Sequence, residues 1–231
     1  MRDLLLRFPH LAEKIFQQLD NKDLAKCREV ESLWQKFIDE RNYPWLRIVN
    51  IPTILQDENT YMHLAAQYGQ LDMFEMILDE EENKNPKNRK GETPFLAACC
   101  KGCMNIALLL LKKADELQID LNAKSRYGET AFYLACDNDH SEIAEMLMKN
   151  SSDFKIDLNV KDITGNTAFH VVCKKGHSEI AEMIMKNSSN LKIDLNIKNN
   201  SGYTAFHLAW PVYGKTNVVN LIKTKMSSLA V

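Results

Sequence analysis

Four copies of the string Gly-x-Thr-[Ala/Pro]-Phe, at Gly91, Gly128, Gly165 and Gly202, follow one another at intervals of 37 residues. Thr60 to Ala66 continues the pattern 33 residues before Thr93, with Glu58 where a glycine would stand. The chain therefore reads as five units, beginning near 57, 90, 127, 164 and 201, the first degenerate. Ser141 to His170 matches Ser178 to His207 at 22 of 30 positions, as a duplicated building block would. A period of this length marks a stack in which each unit buries its apolar face only against its neighbours, so the repeat decides the fold.

Each unit has the same internal logic. Thr130, Ala131, Phe132, Leu134, Ala135 and Cys136 predict a short first helix whose small residues allow close approach of neighbouring helices. A polar turn, Asp137-Asn138-Asp139-His140, leads to a second helix with Ile143, Ala144, Met146 and Leu147 at helical spacing. Asp139 with Glu142 resembles a capping box. Asn150-Ser151-Ser152-Asp153 ends that helix, and Ile156 to Asn159 runs extended toward the next glycine. One unit is thus helix, turn, helix and a finger-like hairpin.

This layout resembles the ankyrin repeat. Thr167-Ala168-Phe169-His170 and Thr204-Ala205-Phe206-His207 are close to the family's Thr-Pro-Leu-His, and Gly176-His177-Ser178-Glu179-Ile180 and Asp194-Leu195-Asn196 supply two further elements of its pattern. The resemblance implies an all-α solenoid with short hairpin fingers. The family period is about 33, so the spacing here leaves about four extra residues per unit. We place them at 150–155, 113–118 and 187–192, where they should lengthen the second helix or its exit loop. Trp210-Pro211 should stop the first helix of the last unit early, so that this unit closes the stack.

Composition narrows the function classes. Among 231 residues, 29 Lys and Arg stand against 31 Asp and Glu, for a net charge of -2, with 45% hydrophobic and 26% charged residues. That is the balance of an ordinary folded, soluble protein, expected to be monomeric outside any complex. No run of cations is large enough to suggest a nucleic-acid partner. No stretch approaches the ~20 apolar residues of a membrane helix. The first residues, MRDLLLRFPHL, lack the apolar core of a secretory signal. The six cysteines then read as free thiols in a reducing compartment, cytoplasmic or nuclear. In such a compartment the sequons at Asn150, Asn187 and Asn199 read as polar turns.

Chemistry-bearing residues fall into the repeat register. Cys99, Cys136 and Cys173 are 37 apart and should form a buried column. Cys99-Cys100-Lys101-Gly102-Cys103 is the nearest approach to a zinc signal, but no second Cys/His pair stands at ligand spacing. His63, His170 and His207 occupy the motif position from which an imidazole bonds turn backbone. Cys136 and His140 could meet at helical spacing, yet no orienting carboxylate or oxyanion donor accompanies them. We expect no catalytic residue, no metal and no cofactor.

Residues 1–42 fall outside the repeat. Phe8, Leu11, Ala12, Ile15, Phe16 and Leu19 share one helical face behind Pro9, Leu24, Cys27 and Val30 mark a second helix, and Leu33, Trp34, Phe37 and Ile38 a third. Phe8-Pro9-His10-Leu11 through Ile15-Phe16, Leu19, Asp23-Leu24 and Cys27-Arg28-Glu29-Val30 to Trp34 resembles an F-box. Phe8 in place of Leu, with Glu31 and Leu33, departs from that family's pattern. The resemblance implies a Skp-type linker protein and a cullin scaffold as partners, with Pro9, Leu11, Ile15, Phe16, Leu19 and Leu24 making the linker contact. Residues 43–56, with Pro44, Trp45, Leu46, Ile48 and Pro52, read as a packed connector, and 57–231 as the repeats.

The expected function is a non-catalytic substrate-recognition adaptor of a cullin-RING ubiquitin ligase, the repeats holding an unknown client protein. The ankyrin resemblance implies a client surface on the concave face of finger tips and first helices, where that family varies its residues, which here are Arg89, Lys90, Glu92, Lys101, Arg126, Tyr127, Glu129, Asp137, Asn138, Ile163, Thr164, Asn166, Lys174, Lys175, Ser201 and Tyr203. Tyr127, Tyr203 and Arg126 are the strongest by residue type. The acidic run Asp79 to Glu82 and the basic run Lys84 to Lys90 should lie in one long loop and largely offset each other. The alternative is a protein-binding scaffold or inhibitor without ligase function, its N-terminal helices serving as a cap. An enzymatic role finds no nucleophile, metal or phosphate-binding motif in its support.

Overall fold

The computed structural model describes residues 58–209. The three N-terminal helices and the connector, and the stop at Trp210-Pro211, lie outside the described residues. Helices come in pairs: α1 (Tyr61–Tyr68) with α2 (Leu71–Glu80), then α3 (Pro94–Lys101) with α4 (Met104–Lys112) and the short α5 (Ala114–Leu117). The pairs α6 (Ala131–Asp137) with α7 (Ser141–Lys149) and α8 (Ala168–Lys175) with α9 (Ser178–Asn187) follow, and α10 (Ala205–Ala209) opens a further unit. First helices pack on first helices, from α1 through α3, α6 and α8 to α10, and α2, α4, α7 and α9 form a second layer. No strand occurs among the described residues, where one isolated bridge joins Lys198 to Thr204.

Threonine starts the first helices. Thr93 Oγ1 accepts from the Leu96 N–H at 3.3 Å, and Thr130 Oγ1 from the Tyr133 N–H at 3.3 Å, satisfying donors that the helix itself leaves over. Thr60 with His63 and Thr167 with His170 form reciprocal capping boxes. Left-handed glycines end these helices at Gly69, Gly102 and Gly176, and Asp139 takes the same backbone place after α6 with φ 61°. The expected Asp139–Glu142 capping box therefore does not form. His140, one residue on, is the N-cap of α7.

The core runs along the stack in register. Phe95, Phe132 and Phe169 are buried on successive first helices, and Ile106, Ile143 and Ile180 on successive second helices. Phe169 meets Phe206 edge to face, ring centroids 5.5 Å apart. Between them Cys99, Cys136 and Cys173 are fully buried, as the spacing predicts. Burial pushes all three thiols up, so they stay protonated and act as small apolar side chains.

The extra residues of each long unit add a turn where the second helix exits. Ala114, Ser151 and Ser188 are buried there, and the serine hydroxyls donate back to Met148 O at 2.8 Å and Met185 O at 2.9 Å. Gln118, Lys155 and Lys192 then reverse the chain with φ of 53°, 53° and 54°. The finger that follows is a tight loop rather than a two-stranded ribbon. Asn88 N–H donates to Glu92 O at 3.1 Å and Gly91 N–H to Asn88 O at 2.8 Å, and the same pair of bonds recurs at Ser125, Asp162 and Asn199.

No helix among the described residues is long and apolar enough to cross a membrane.

Candidate functional site

Three sets of bonds join neighbouring repeats and hold the fingers in place. At the finger tips, Arg126 N–H donates to Lys90 O at 2.7 Å, Ile163 N–H to Tyr127 O at 2.9 Å and Asn200 N–H to Thr164 O at 3.0 Å. At the helix turns, His140 Nε2 lies 3.0 Å from Cys100 O and His177 Nε2 3.3 Å from Asp137 O, and Cys103 Sγ lies 3.5 Å from Gln67 O. At the helix exits stands a column of asparagines. Asn85, Asn122 and Asn159 each donate through the side-chain amide to the carbonyl of Gln118, Lys155 or Lys192 in the next unit. Each also accepts, through Oδ1, from the N–H of Asp120, Asp157 or Asp194. The asparagines share the 37-residue register, which is the signal by which sequence alone could have found this ladder.

The first helices are tied to the next finger by a fourth set. His63 Nε2 lies 2.7 Å from Glu92 O, and His170 Nε2 3.1 Å from Tyr203 O. A carbonyl only accepts, so Nε2 carries the hydrogen. Nδ1 then accepts from the backbone N–H of Thr60 or Thr167, at 3.1 Å in both. Both rings are buried, and this burial lowers their pKa values, so each is held as one neutral tautomer. These histidines serve turn backbone, as their motif position implies. In the third unit Tyr133 stands at the histidine position and donates instead to Asp162 Oδ2 at 2.8 Å.

Against that scaffold the candidate client residues divide into two groups. Glu92, Glu129 and Asn166 turn into the fingers. Glu92 Oε2 accepts from Asn88 Nδ2 at 2.9 Å, Glu129 Oε2 from Ser125 Oγ at 2.8 Å, and Asn166 Oδ1 from Asn199 Nδ2 at 2.9 Å. Asp137 pairs with Lys175 at 2.6 Å, and Asn138 Nδ2 donates to Leu134 O at 2.9 Å. Arg89, Lys90, Lys101, Arg126, Thr164, Lys174 and Ser201 are exposed. Tyr127, Ile163 and Tyr203 are 49%, 62% and 52% exposed, large apolar side chains presented to solvent on finger loops. Pro9, Leu11, Ile15, Phe16, Leu19 and Leu24 lie outside the described residues.

The acidic and basic runs share one loop only in part, because Glu81 and Glu82 precede Lys84 there while the other two acids do not. Asp79 and Glu80 belong to α2, and the Lys84 ammonium closes that helix by donating to Leu78 O and Glu81 O. Lys87, Arg89 and Lys90 are exposed on the first finger. Cys136 and His140 do not form a pair either, because the thiol is fully buried and the ring nitrogen Nε2 is directed to Cys100 O. Cys100 and Cys103 are half-buried, and no group of three or more His, Cys, Asp or Glu among the described residues could hold a metal ion.

Comparison with known proteins agrees with this geometry. A family model of ankyrin repeats in three copies matches residues 62–162, and a second, of ankyrin repeats in many copies, matches 151–209. An ankyrin repeat protein of Rickettsia felis is 38% identical over 58 residues, which is 25% of this chain and 15% of that protein. The chain thus spans well under a fifth of that relative's length. Matched over more than half its residues by these models, with the capped helix pairs and interlocked fingers described above, the chain belongs to the ankyrin-repeat family.

Proposed function

We propose that this chain is a protein-binding subunit that recruits a client to a cullin-RING ubiquitin ligase. The observation that carries the binding role is Tyr127, Ile163 and Tyr203 standing exposed on fingers whose own polar groups are satisfied internally. Apolar side chains held on a pre-formed backbone lose little entropy on binding, so they suit a protein partner. The client surface is then the finger tips with the exposed ends of the first helices, including Arg126, Lys101 and Lys174.

The ligase assignment rests on the F-box resemblance of Phe8 to Trp34. Pro9, Leu11, Ile15, Phe16, Leu19 and Leu24 would dock a Skp-type linker protein, and through it the cullin scaffold. The chain would contribute proximity and orientation, with ubiquitin transferred by enzymes bound elsewhere.

Calorimetry of the full chain with the purified linker protein tests this. Binding by the parent chain that is lost in Ile15→Asp, with the repeats still folded by circular dichroism, supports the adaptor. A folded parent chain that gives no heat with the linker overturns it and leaves a scaffold without ligase function.

A further inference from the structure

We infer that the finger face takes an acidic, extended segment of its protein partner, with the acidic part over the first two fingers and apolar residues over the last two. The inference rests on the reading of the fingers as the client surface and names the chemistry of the client.

It starts from a column of cations. Lys87, Lys124, Lys161 and Lys198 stand 37 residues apart, immediately before the residue that opens each finger turn. All four are exposed, and none enters an ion pair among the described residues. Exposure alternates along the fingers: Ala123 and Ser125 are buried while Lys124 and Arg126 are exposed, and Asn88 is buried between exposed Lys87 and Arg89. In every finger the lysine and the residue two places on are both exposed, on either side of the residue that opens the turn. That second row reads Arg89, Arg126, Ile163, Asn200. Cations thus crowd the first two fingers, the second of which also exposes Tyr127, and the third and fourth add Ile163 and Tyr203 to a single lysine each.

Carboxylates near the tips do not pair with the lysines of this column. Glu92 and Glu129 are bonded into their own fingers, and Asp162 Oδ1 accepts from Thr164 N, Thr164 Oγ1 and Asn166 N at 2.7–2.8 Å while Oδ2 takes the Tyr133 hydroxyl. Exposed acids lie elsewhere. Asp120, Asp157 and Asp194 stand four residues before the lysines at the helix exits, and Glu142, Glu145, Glu179 and Glu182 outnumber Lys149 and Lys186 in a groove between α7 and α9, where Lys149 pairs with Glu145. The helix exits and second layer thus carry acids mixed with lysines such as Lys112, Lys149, Lys155 and Lys186, whereas the finger lysines have no carboxylate bonded to them among the described residues. Complementary charge steers an acidic segment to the fingers rather than to that mixed surface. Cations that recur once per repeat match a partner laid along the stack. Ile163, an aliphatic side chain that cannot stack on a base as a tyrosine ring does, calls for an apolar side chain in that partner.

A random peptide library selected on the immobilised full chain tests the inference. Recovered peptides should be rich in Asp and Glu beside an apolar stretch. A labelled peptide of that kind should bind about tenfold or more weaker to Lys124→Glu/Lys161→Glu, and about tenfold weaker at high salt. It should bind Lys112→Glu/Lys186→Glu, changed on the second layer, within about twofold of the parent. Lys124→Gln/Lys161→Gln removes the charge without reversing it and decides the matter if the Glu pair loses its helical signal. Peptides without acidic bias, or acidic peptides indifferent to the finger changes, overturn this inference and leave the protein-binding reading intact. A labelled oligo-uridine bound more tightly than any peptide overturns it in favour of a nucleic acid. Failure to recover any peptide overturns both.

Discussion

Replacing Asn159 by alanine should uncouple the last described repeats from those before them. The Asn159 side chain donates to Lys192 O at 2.9 Å and accepts from Asp194 N–H at 2.8 Å, two bonds across one repeat boundary from a single amide. Each is worth ~0.5–1.5 kcal/mol net. Both lie at the surface, where water takes over part of the loss, so the expected cost is ~1–2 kcal/mol. In a chain of this size that lowers the melting temperature by ~2–8 °C. The lost term belongs to one interface, so the stack should also unfold less cooperatively, with a smaller denaturant slope. Urea titration followed by circular dichroism reads both quantities, and hydrogen exchange at the Asp194 amide reads the boundary itself. Asn196 occupies the same register position with no such pair of bonds among the described residues, which makes Asn196→Ala the internal control, expected within ~0.5 kcal/mol of the parent. Equal effects of the two substitutions would refute the reasoning that this ladder holds the boundaries together.

Further outcomes follow from the same geometry. A Cβ at Gly165 would lie 2.4 Å from Asn200 Oδ1 and 2.6 Å from its backbone N, whereas one at Gly202 meets nothing, though both glycines have φ near 80°. Gly202→Ala should therefore cost only the left-handed backbone, ~1–2 kcal/mol, and Gly165→Ala visibly more in the same urea titration. Tyr133→Phe removes a bond to a carboxylate and should cost ~1.5–3 kcal/mol, while Tyr133→His, restoring the residue found in three other units, should cost less. His63 and His170 have lowered pKa values because burial disfavours the charged ring. Their contribution to stability is complete above the ordinary histidine value of ~6.5 and is lost as pH falls below it, because the unfolded chain binds the protons first. A pH series of urea midpoints should show this loss, and His170→Leu, the change already present at Leu96, should flatten it. Thiol titration should label Cys100 and Cys103 well before Cys99, Cys136 and Cys173, since the latter three are both buried and held protonated.

Much of the repeat architecture was legible because it is written in periodic residue types. Threonine before each first helix, the buried cysteines and the phenylalanine after each Gly-x-Thr all carry one structural role per unit, so their spacing announced their place. The reading failed where a role depends on backbone conformation. Asp139 looks like an N-cap from its distance to Glu142, but it stands where Gly102 and Gly176 stand, and its φ of 61° makes it the hinge of the turn instead. Lys84 to Lys90 looked like one basic run because neighbours in sequence were taken as neighbours in space. Helix closure claims Lys84, and the finger claims the rest. A different error hid the lysine column and the asparagine ladder. Their members recur every 37 residues as the cysteines do, but a polar residue at a surface position reads as solvated unless the backbone geometry shows what it bonds to or faces. Among the candidate client residues, type alone could not distinguish Glu129, bonded to Ser125, from Tyr127, which is left exposed two residues earlier.

The central claim is that the finger face is where this chain meets another protein. A photo-crosslinking amino acid placed at Tyr127 or Tyr203 of the full chain, and separately at Glu145 on the second-helix layer, tests it directly in cells. The account requires a discrete crosslinked protein partner from the finger positions that is absent from position 145 and disappears in Ile163→Asp. The same partner captured equally from Glu145, or undiminished by Ile163→Asp, would contradict it.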